Sequence, residues 1–391
     1  MRLHSDITLP ASKSESNRAL MIAAYGGFKI DFQNLSDSND TLVLADALHK
    51  VQLGESVIDI VDCGTAARFM TTYLACHLGE WILTGTERMK QRPIKPLVDA
   101  LLTLGAEIQY VEKQGFLPLQ INGRPLEGGK VSIDMTQSSQ FASSLLLAAP
   151  TFPQGLELDL LGELSSMPYL DMTLRMMCHF SAQAEKHGRI VVVKPQPYQK
   201  QPFMVEPDWT AASYWYEMAA FSEECEIRLV GLGNSLTFRQ AQGSGILFRQ
   251  SDSIIAEWMT QLGIDTCVDG NDVVLRKTTF EKRPLSFDFS QHPDLYPTMA
   301  ATCAGLHVEA HFTGLNTLTL KESDRVEAMQ TELAKLDNGP IRFSTHNDHR
   351  IVMALAPLSM LIGPVFIDHP DVVKKSYPGF WKDASFLSVK W

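Results

Sequence analysis

The sequence predicts an α/β protein, with α+β character, of two domains. Each domain is built from three repeats of a β-α-β-α-β-β unit whose first helix is buried. Three observations predict it. At 391 residues the chain exceeds what one hydrophobic core usually supports. A small apolar helix with a polar first turn recurs six times. Short alternating or β-branched runs, the pattern of strands, fill the gaps between the copies.

The six helical copies are SESNRALMIAA from Ser14, GTAARFMTTYLA from Gly64, SSQFASSLLLAAP from Ser138, DWTAASYWYEMAAF from Asp208, HPDLYPTMAATCAGL from His292 and NDHRIVMALAPLSM from Asn347. Each is rich in Ala, Leu and Met, so it can be buried on most sides. Helices of a second, wetter type alternate with them: DTLVLADALHKV from Asp40, RPIKPLVDALLTLG from Arg92, YLDMTLRMMCHF from Tyr169, SDSIIAEWMTQLG from Ser251 and SDRVEAMQTELAKL from Ser323. Most carry apolar residues at i, i+3, i+4 and i+7, and Gly105 and Gly263 end two of them. Strands are expected at KIDFQNL, SVIDIV, EWILTG, LPLQING, KVSIDM, LELDLLG, RIVVVKP, EIRLVGL, DVVLRK, LSFDFS, HVEAHF and PVFID. Three repeats fill residues 11–204, the first domain. The second comprises 1–10 plus 205–391, with crossings at Pro10–Ser12 and in the Pro-rich stretch from Lys194 to Pro207.

Composition narrows the function. Apolar residues are 45% and charged residues 20%, as in ordinary globular proteins. The net charge of −11 argues against a nucleic-acid surface, and no apolar run is long enough to span a membrane. The N-terminal MRLHSDITLP has neither the basic-then-apolar pattern of a signal peptide nor an Arg- and Ser-rich transit segment. Six scattered cysteines read as reduced thiols in a cytoplasm. His346 and His349 have no third ligand spaced nearby, so no metal site is expected.

Charged residues gather at the helix starts. A helix start points unpaired N–H groups and a positive dipole end outward, which favours an anion. Lys13 and Arg18 flank the first start, Arg92 stands in RMKQRPIKP, and Ser138, Ser139 and Gln140 open the third copy. Asp294 lies at the fifth, KESDR holds Lys321, Glu322 and Arg325, NDHR holds His349 and Arg350, and Lys375 precedes SYPGFW. Each has a plainer reading. The stretch Lys13–Arg18 could be a capped helix with two solvated cations. KESDR alone reads as the first turn of a solvated helix, Asp294 as a helix cap, and RMKQRP as a solvated loop.

Taken in order, KSESNRA, CGTAARF, RMKQRPI, SSQFASSLLLAAP, KESDR, NDHR and KKSYPGF resemble the motifs of the 5-enolpyruvylshikimate-3-phosphate synthase family, from about Leu9 to Tyr377. The resemblance implies a two-domain inside-out α/β barrel that closes on its substrates, monomeric and free of metal or organic cofactor. It implies transfer of the enolpyruvyl group of phosphoenolpyruvate to the 5-hydroxyl of shikimate 3-phosphate. By motif, Lys13, Ser14, Arg18, Ser138, Ser139, Gln140, Ser166, Tyr169, Asp294 and Lys321 would hold shikimate 3-phosphate. Lys13, Gly64, Arg92, Gln140, Arg325, Arg350 and Lys375 would hold phosphoenolpyruvate. Asp294 would act as base and Glu322 would handle the proton at the methylene carbon, with Lys13 and His349 as further catalytic candidates. Physical chemistry agrees. Two phosphates and two carboxylates bring roughly five to six negative charges. Seven cations and several helix starts can offset them, and Arg grips such groups bidentately.

The chain departs from the family pattern in places. Asp62 replaces a usual Asn, so repulsion of phosphoenolpyruvate is expected unless Arg68 pairs with it. Phe69, Thr317 and Thr319 are unusual, and the segment 336–346 is short enough to remove a strand pair. The rival readings are the sister transferase acting on a UDP-sugar and an inactive anion-binding homologue.

Overall fold

The structure, a computed structural model, describes residues 1–29, 31–233, 250–336 and 341–391. Two compact units emerge: a terminal unit of Met1–Ser12, Ser36–Asn39 and Glu206–Trp391, and an insert unit of Lys13–Leu35 and Asp40–Val205. These bounds correct the expected ones in detail. Residues 11 and 12 stay with the terminal unit because the two chain crossings pair there. Ala11 bridges Pro207, the Ser12 amide donates to the Glu206 carbonyl at 2.8 Å, and the Asp208 amide donates to the Pro10 carbonyl at 2.9 Å. The excursion Ser36–Asn39 leaves no mark in composition.

In the terminal unit, β1 (Arg2–Ile7) is one edge of a sheet. The insert unit covers, in order, α1 (Lys13–Gly26), α2 (Asn39–Leu53), β2 (Val57–Asp59), α3 (Gly64–Cys76), β3 (Gly79–Thr84), α4 (Lys95–Thr103), β4 (Glu107–Tyr110) and β5 (Leu119–Gly123). It continues with β6 (Gly129–Asp134), α5 (Ser139–Ala148), β7 (Leu156–Leu161), α6 (Met167–His179), β8 (Ala184–His187) and β9 (Ile190–Val193). Its sheets are β2-β3-β5-β4 and β6-β7-β9-β8, each a parallel pair followed by two antiparallel neighbours. Parallel neighbours need a crossover, and here it is the buried helix: α3 between β2 and β3, α5 between β6 and β7.

The terminal unit resumes with α7 (Trp209–Phe221), β10 (Glu224–Leu229), α8 (Ile255–Thr260), β11 (Ile264–Asp269), β12 (Asp272–Lys277), β13 (Leu285–Asp288), α9 (Tyr296–Gly305) and β14 (Ala310–Thr313). Then come α10 (Arg325–Leu333), β15 (Arg342–Phe343), α11 (His349–Leu355), β16 (Val365–Ile367) and β17 (Val389–Lys390). The sheet β1-β10-β12-β11 repeats the topology of the insert unit, with the whole insert placed between β1 and its crossover helix α7. The others are shorter: parallel β13-β14 around α9, and parallel β15-β16-β17. The expected lost strand pair at 336–346 falls partly on 337–340, outside the described residues.

All thirteen residues of α7 are buried, as are all seven of α11. Large aromatics make this possible: the Trp215 indole donates to the Tyr377 hydroxyl at 3.3 Å, and the Tyr216 hydroxyl meets Thr266 at 3.1 Å. Buried hydroxyls align the helices. In the insert unit Thr72 of α3 meets Ser144 of α5 at 2.6 Å, and Thr173 of α6 donates to Ser143 at 3.0 Å. In the terminal unit Ser213 of α7 meets Thr298 of α9 at 3.1 Å.

One expected strand fails. Among the described residues KIDFQNL pairs only through a bridge from Gln33 to Met204. Phe32 packs on Phe180 and Phe203 instead, and the partner segment contains Pro202, which has no N–H for a ladder. The strands not foreseen (β4, β8, β11, β15, β17) are mostly short or wet edge strands with weak alternation.

Candidate active site

In the insert unit the candidate residues sit at helix starts. Lys13 begins α1, and its ammonium pairs with Asp40 Oδ2 at 2.9 Å, a contact mostly shielded from water. Asp40 lies in the first turn of α2. Arg18 is buried, and three of its N–H groups are used: Nε donates to Thr173 Oγ1 at 2.7 Å, Nη1 to the Ser14 carbonyl at 2.9 Å, and Nη2 to the Tyr169 carbonyl at 3.2 Å. Arg18 thus ties α1 to α6 at the place where Ser14 and Tyr169 stand. Burial pushes its pKa down to about 10, with Tyr169 and Glu15 opposing, so it stays charged at neutral pH.

The starts of α3 and α5 are joined. Ser138 caps α5 by accepting the Gln140 amide at 3.2 Å, and Gln140 Nε2 donates to Thr65 Oγ1 at 3.1 Å. Thr65 and Gln140 are both in first turns, and Thr72 meets Ser144 further along. The two helices therefore run parallel, with both N-termini at one end. Ser139 is buried beside the cap, and Ser166, which precedes α6, is buried in a left-handed conformation at φ 55°. Gly64 packs against Arg92: a Cβ there would lie 2.6 Å from Arg92 Nη1, the far end of a flexible side chain. Arg68, considered as a partner for Asp62, donates Nη1 to the Gly64 carbonyl at 3.0 Å and Nη2 to the Pro93 carbonyl at 3.2 Å.

The terminal unit centres on Arg325, 1% exposed. Its Nη1 donates to Asp294 Oδ1 at 2.9 Å, its Nη2 to Glu322 Oε2 at 2.8 Å and Asp348 Oδ1 at 3.3 Å, and its Nε to Asp348 Oδ2 at 2.8 Å. Four of its five N–H donors are spent, leaving one at Nη1. Burial opposes the charge, but Asp348, Glu322 and Asp294 together hold its pKa above the ordinary value. Asp294 does not cap a helix; it lies in the 3-10 turn Pro293–Leu295 before α9. Its second oxygen accepts Arg350 Nη2 at 2.8 Å, so two guanidiniums hold the carboxylate from either side.

Asp348, absent from the expected set, organises the cluster. It caps α11 by accepting the Arg350 amide at 2.9 Å and accepts Ser323 Oγ at 3.1 Å. Its place in NDHR, just ahead of an apolar helix, was the available signal. His349 is buried, with Nδ1 3.7 Å from Asp348 Oδ1. His346 pairs with Glu332 at 3.0 Å. Lys375 is buried at the end of the 3-10 segment Pro370–Lys375, and Lys321 follows the 3-10 turn Asn316–Leu320. Asp252 was also unforeseen. It accepts the Thr210 hydroxyl and is fully buried; burial first, then the neighbouring Asp294, push its pKa up to about 7 against Thr210 and Arg350.

The fold is that of the enolpyruvyl transferases. Solved structures of an EPSP synthase from Acinetobacter baumannii and of the enolpyruvyl transferase NikO from Streptomyces tendae superpose with TM-scores of 0.73 and 0.70. They are 20% and 14% identical, each alignment covers 99% of this chain, and 96% and 95% of theirs are covered in turn. Sequence narrows the class. The family model for EPSP synthase (3-phosphoshikimate 1-carboxyvinyltransferase) matches residues 50–384. A 3-phosphoshikimate 1-carboxyvinyltransferase of Bacteroides fragilis is 43% identical over 403 residues, covering 98% of this chain and 95% of its own. One from Syntrophobacter fumaroxidans is 32% identical, covering 97% and 96%. The chain belongs to the EPSP synthase family.

Proposed function

We propose that this chain transfers the enolpyruvyl group of phosphoenolpyruvate to the 5-hydroxyl of shikimate 3-phosphate and releases phosphate. The acceptor oxygen bonds to C2 of phosphoenolpyruvate, the bond from C2 to the phosphate oxygen breaks, and the hydroxyl proton leaves with the products. Asp294 takes that proton as base, and Glu322 gives and takes back the proton at the methylene carbon. The observation that carries this reading is the joining of Asp294 and Glu322 by one buried guanidinium, Arg325. A base and an acid held on one rigid cation keep a fixed separation, which a reaction with two proton transfers at different atoms requires.

In the insert unit we assign Lys13, Ser14, Arg18, Ser138, Ser139, Gln140, Ser166 and Tyr169 to shikimate 3-phosphate, with Gly64 and Arg92 serving phosphoenolpyruvate. In the terminal unit Lys321 joins Asp294 on the acceptor, and Arg350 and Lys375 serve phosphoenolpyruvate. Arg325 offers a ligand one Nη1–H; its main task is to assemble the carboxylates. His349 supports Asp348 from inside the cluster. No metal ion or organic cofactor enters this scheme. The same reading makes the chain a cytoplasmic monomer, and sedimentation at the mass of one chain checks the oligomeric part. Among the described residues no helix is long and apolar enough to cross a membrane.

The test is phosphate release from phosphoenolpyruvate with shikimate 3-phosphate or UDP-N-acetylglucosamine offered in turn. Turnover with the first alone is expected. Turnover with the second alone would move the chain to the sister reaction, and none with either would leave an anion-binding homologue.

A further inference from the structure

The segment that delivers Asp348 to the Arg325 cluster is strained. Between β15 and α11, His346 and Asn347 both stand in the left-handed region, at φ 50° and 54°. Such backbone is uncommon outside glycine and persists only where its surroundings hold it. Two carboxylates do so. Asp368, just after β16, accepts the Thr345 amide at 2.7 Å. Glu332, near the end of α10, accepts the Ser344 amide at 2.9 Å through Oε2 and pairs with His346 Nε2 at 3.0 Å through Oε1. The Lys335 ammonium also reaches Glu332 Oε2, and it donates to the Arg342 carbonyl at 3.1 Å. Glu332 is 1% exposed, and a carboxylate buried to that degree costs free energy unless its partners are kept.

Stapling α10 to β15 would need only Ser344 and Lys335. The contact to His346 goes further, to the first of the two left-handed residues. Helix α10 therefore grips this segment twice. Arg325, its first residue, holds Asp348 Oδ2 at 2.8 Å, and Glu332 holds Ser344 and His346 about two turns along the same face. Between the two grips the Asp348 amide donates to the Thr345 carbonyl at 2.8 Å, which closes the turn. Relaxation of the left-handed pair to negative φ would redirect the chain entering α11, and with it the place of Asp348 on Arg325.

We propose that Glu332 is a positioning residue. By holding Ser344 and His346 it keeps the left-handed pair in place, and so sets Asp348 against Arg325, the cation that joins Asp294 and Glu322. The catalytic part of this role rests on the enolpyruvyl-transfer reading. Its geometric part does not.

The test is Glu332→Leu in the full chain, which keeps apolar bulk and removes both acceptors. Its kcat per folded molecule, measured well below the urea midpoint, should fall about tenfold, the value of one hydrogen bond to a charged group. The KM for shikimate 3-phosphate should stay within about twofold, because no cation is removed. Adding His346→Gly to Glu332→Leu should recover most of the lost kcat, since glycine adopts positive φ without a holder. A purely structural Glu332 would lower the urea midpoint and leave kcat per folded molecule unchanged, and that result overturns the proposal. So does a loss of kcat that the glycine does not recover. Should Glu332→Leu fail to fold, His346→Ala removes the same contact from a half-buried side chain, and an unchanged kcat there overturns the proposal as well. If the wild-type chain turns over neither acceptor, the enolpyruvyl reading fails on its own, and a crystal structure of whichever variant folds then decides. Negative φ at residue 346 together with a broken contact between Asp348 and Arg325 supports the role of Glu332, and any other geometry removes it.

Discussion

The two units share a topology and differ in their electrostatics. Both wrap a parallel strand pair around a buried crossover helix and align those helices through hydroxyl pairs, Thr72 with Ser144 in the insert unit and Ser213 with Thr298 in the terminal unit. At the helix starts they diverge. The insert unit presents hydroxyls, an amide and cations held by neutral carbonyls or a single carboxylate: Arg18 rests on Thr173 and two backbone oxygens, and Lys13 on Asp40. In the terminal unit one guanidinium, Arg325, is shared by Asp294, Glu322 and Asp348. Neutral partners suit gripping an anion, because its arrival displaces little. Carboxylates held on cations suit moving protons. On the proposed function, the insert unit serves binding, and the terminal unit adds the acid–base carboxylates to its own binding cations, through a few residues per helix start.

That division makes predictions of decreasing size. Asp294→Ala should lower kcat by about 10²–10⁴-fold, the span of a general base. Binding of shikimate 3-phosphate by calorimetry should be nearly unchanged, because no cation is removed. Near-normal turnover would show that Asp294 is not the base.

Arg325→Met should cost about 3–5 kcal/mol in urea unfolding, since three buried carboxylates lose their shared cation. Arg18→Met should cost about 1–3 kcal/mol, as only neutral acceptors are left. Equal losses would erase the distinction between the units.

Glu217, midway along α7, is fully buried, and neither carboxylate oxygen has a partner among the described residues. Its counterpart helix α5 has only hydroxyls at such positions. Burial raises the pKa of Glu217 well above the carboxylate range, so the folded state holds its proton more tightly than the unfolded state. The sign follows: stability is greatest below the unfolded pKa and falls as pH rises toward the folded value. Glu217→Leu should therefore stabilise the protein by about 1–3 kcal/mol at pH 8 and by less at pH 4. A gain independent of pH would show that the carboxyl is not held neutral.

The smallest effect is expected in the insert unit. Gly64→Ala would press a methyl onto the end of the Arg92 side chain, 2.6 Å away before relaxation. A flexible side chain can yield, so the urea midpoint should hold while the KM for phosphoenolpyruvate rises about tenfold through a misaimed guanidinium. A fallen midpoint with unchanged KM would assign Gly64 to packing alone.

Much of this was legible in the sequence because it is local. Buried helices, their caps and the wet helices between them are written in spacings of three or four residues, and all six buried helices form near their expected starts. The charged motifs at those starts were legible for the same reason, and their order along the chain pointed to the family. What depended on distant partners was not legible. KIDFQNL has a strand's pattern, but its partner segment is proline-rich, so only a bridge forms. KESDR taken alone looks solvated, yet Arg325 is among the most buried residues, because Asp294 and Asp348 lie 31 and 23 positions away in sequence. Asp348 was signalled only as a helix cap in NDHR, and Asp252 carries no signal of its own, since it acquires its meaning from charges on other elements.

By itself, then, the sequence determined the repeated scaffold, the helix starts and the residues placed at them, all products of short-range periodicity and capping. Only the tertiary structure decided which charges share a partner and which donors are already spent. Those are properties of burial, where water no longer screens a charge or satisfies a polar group, and burial is settled by every packed element together.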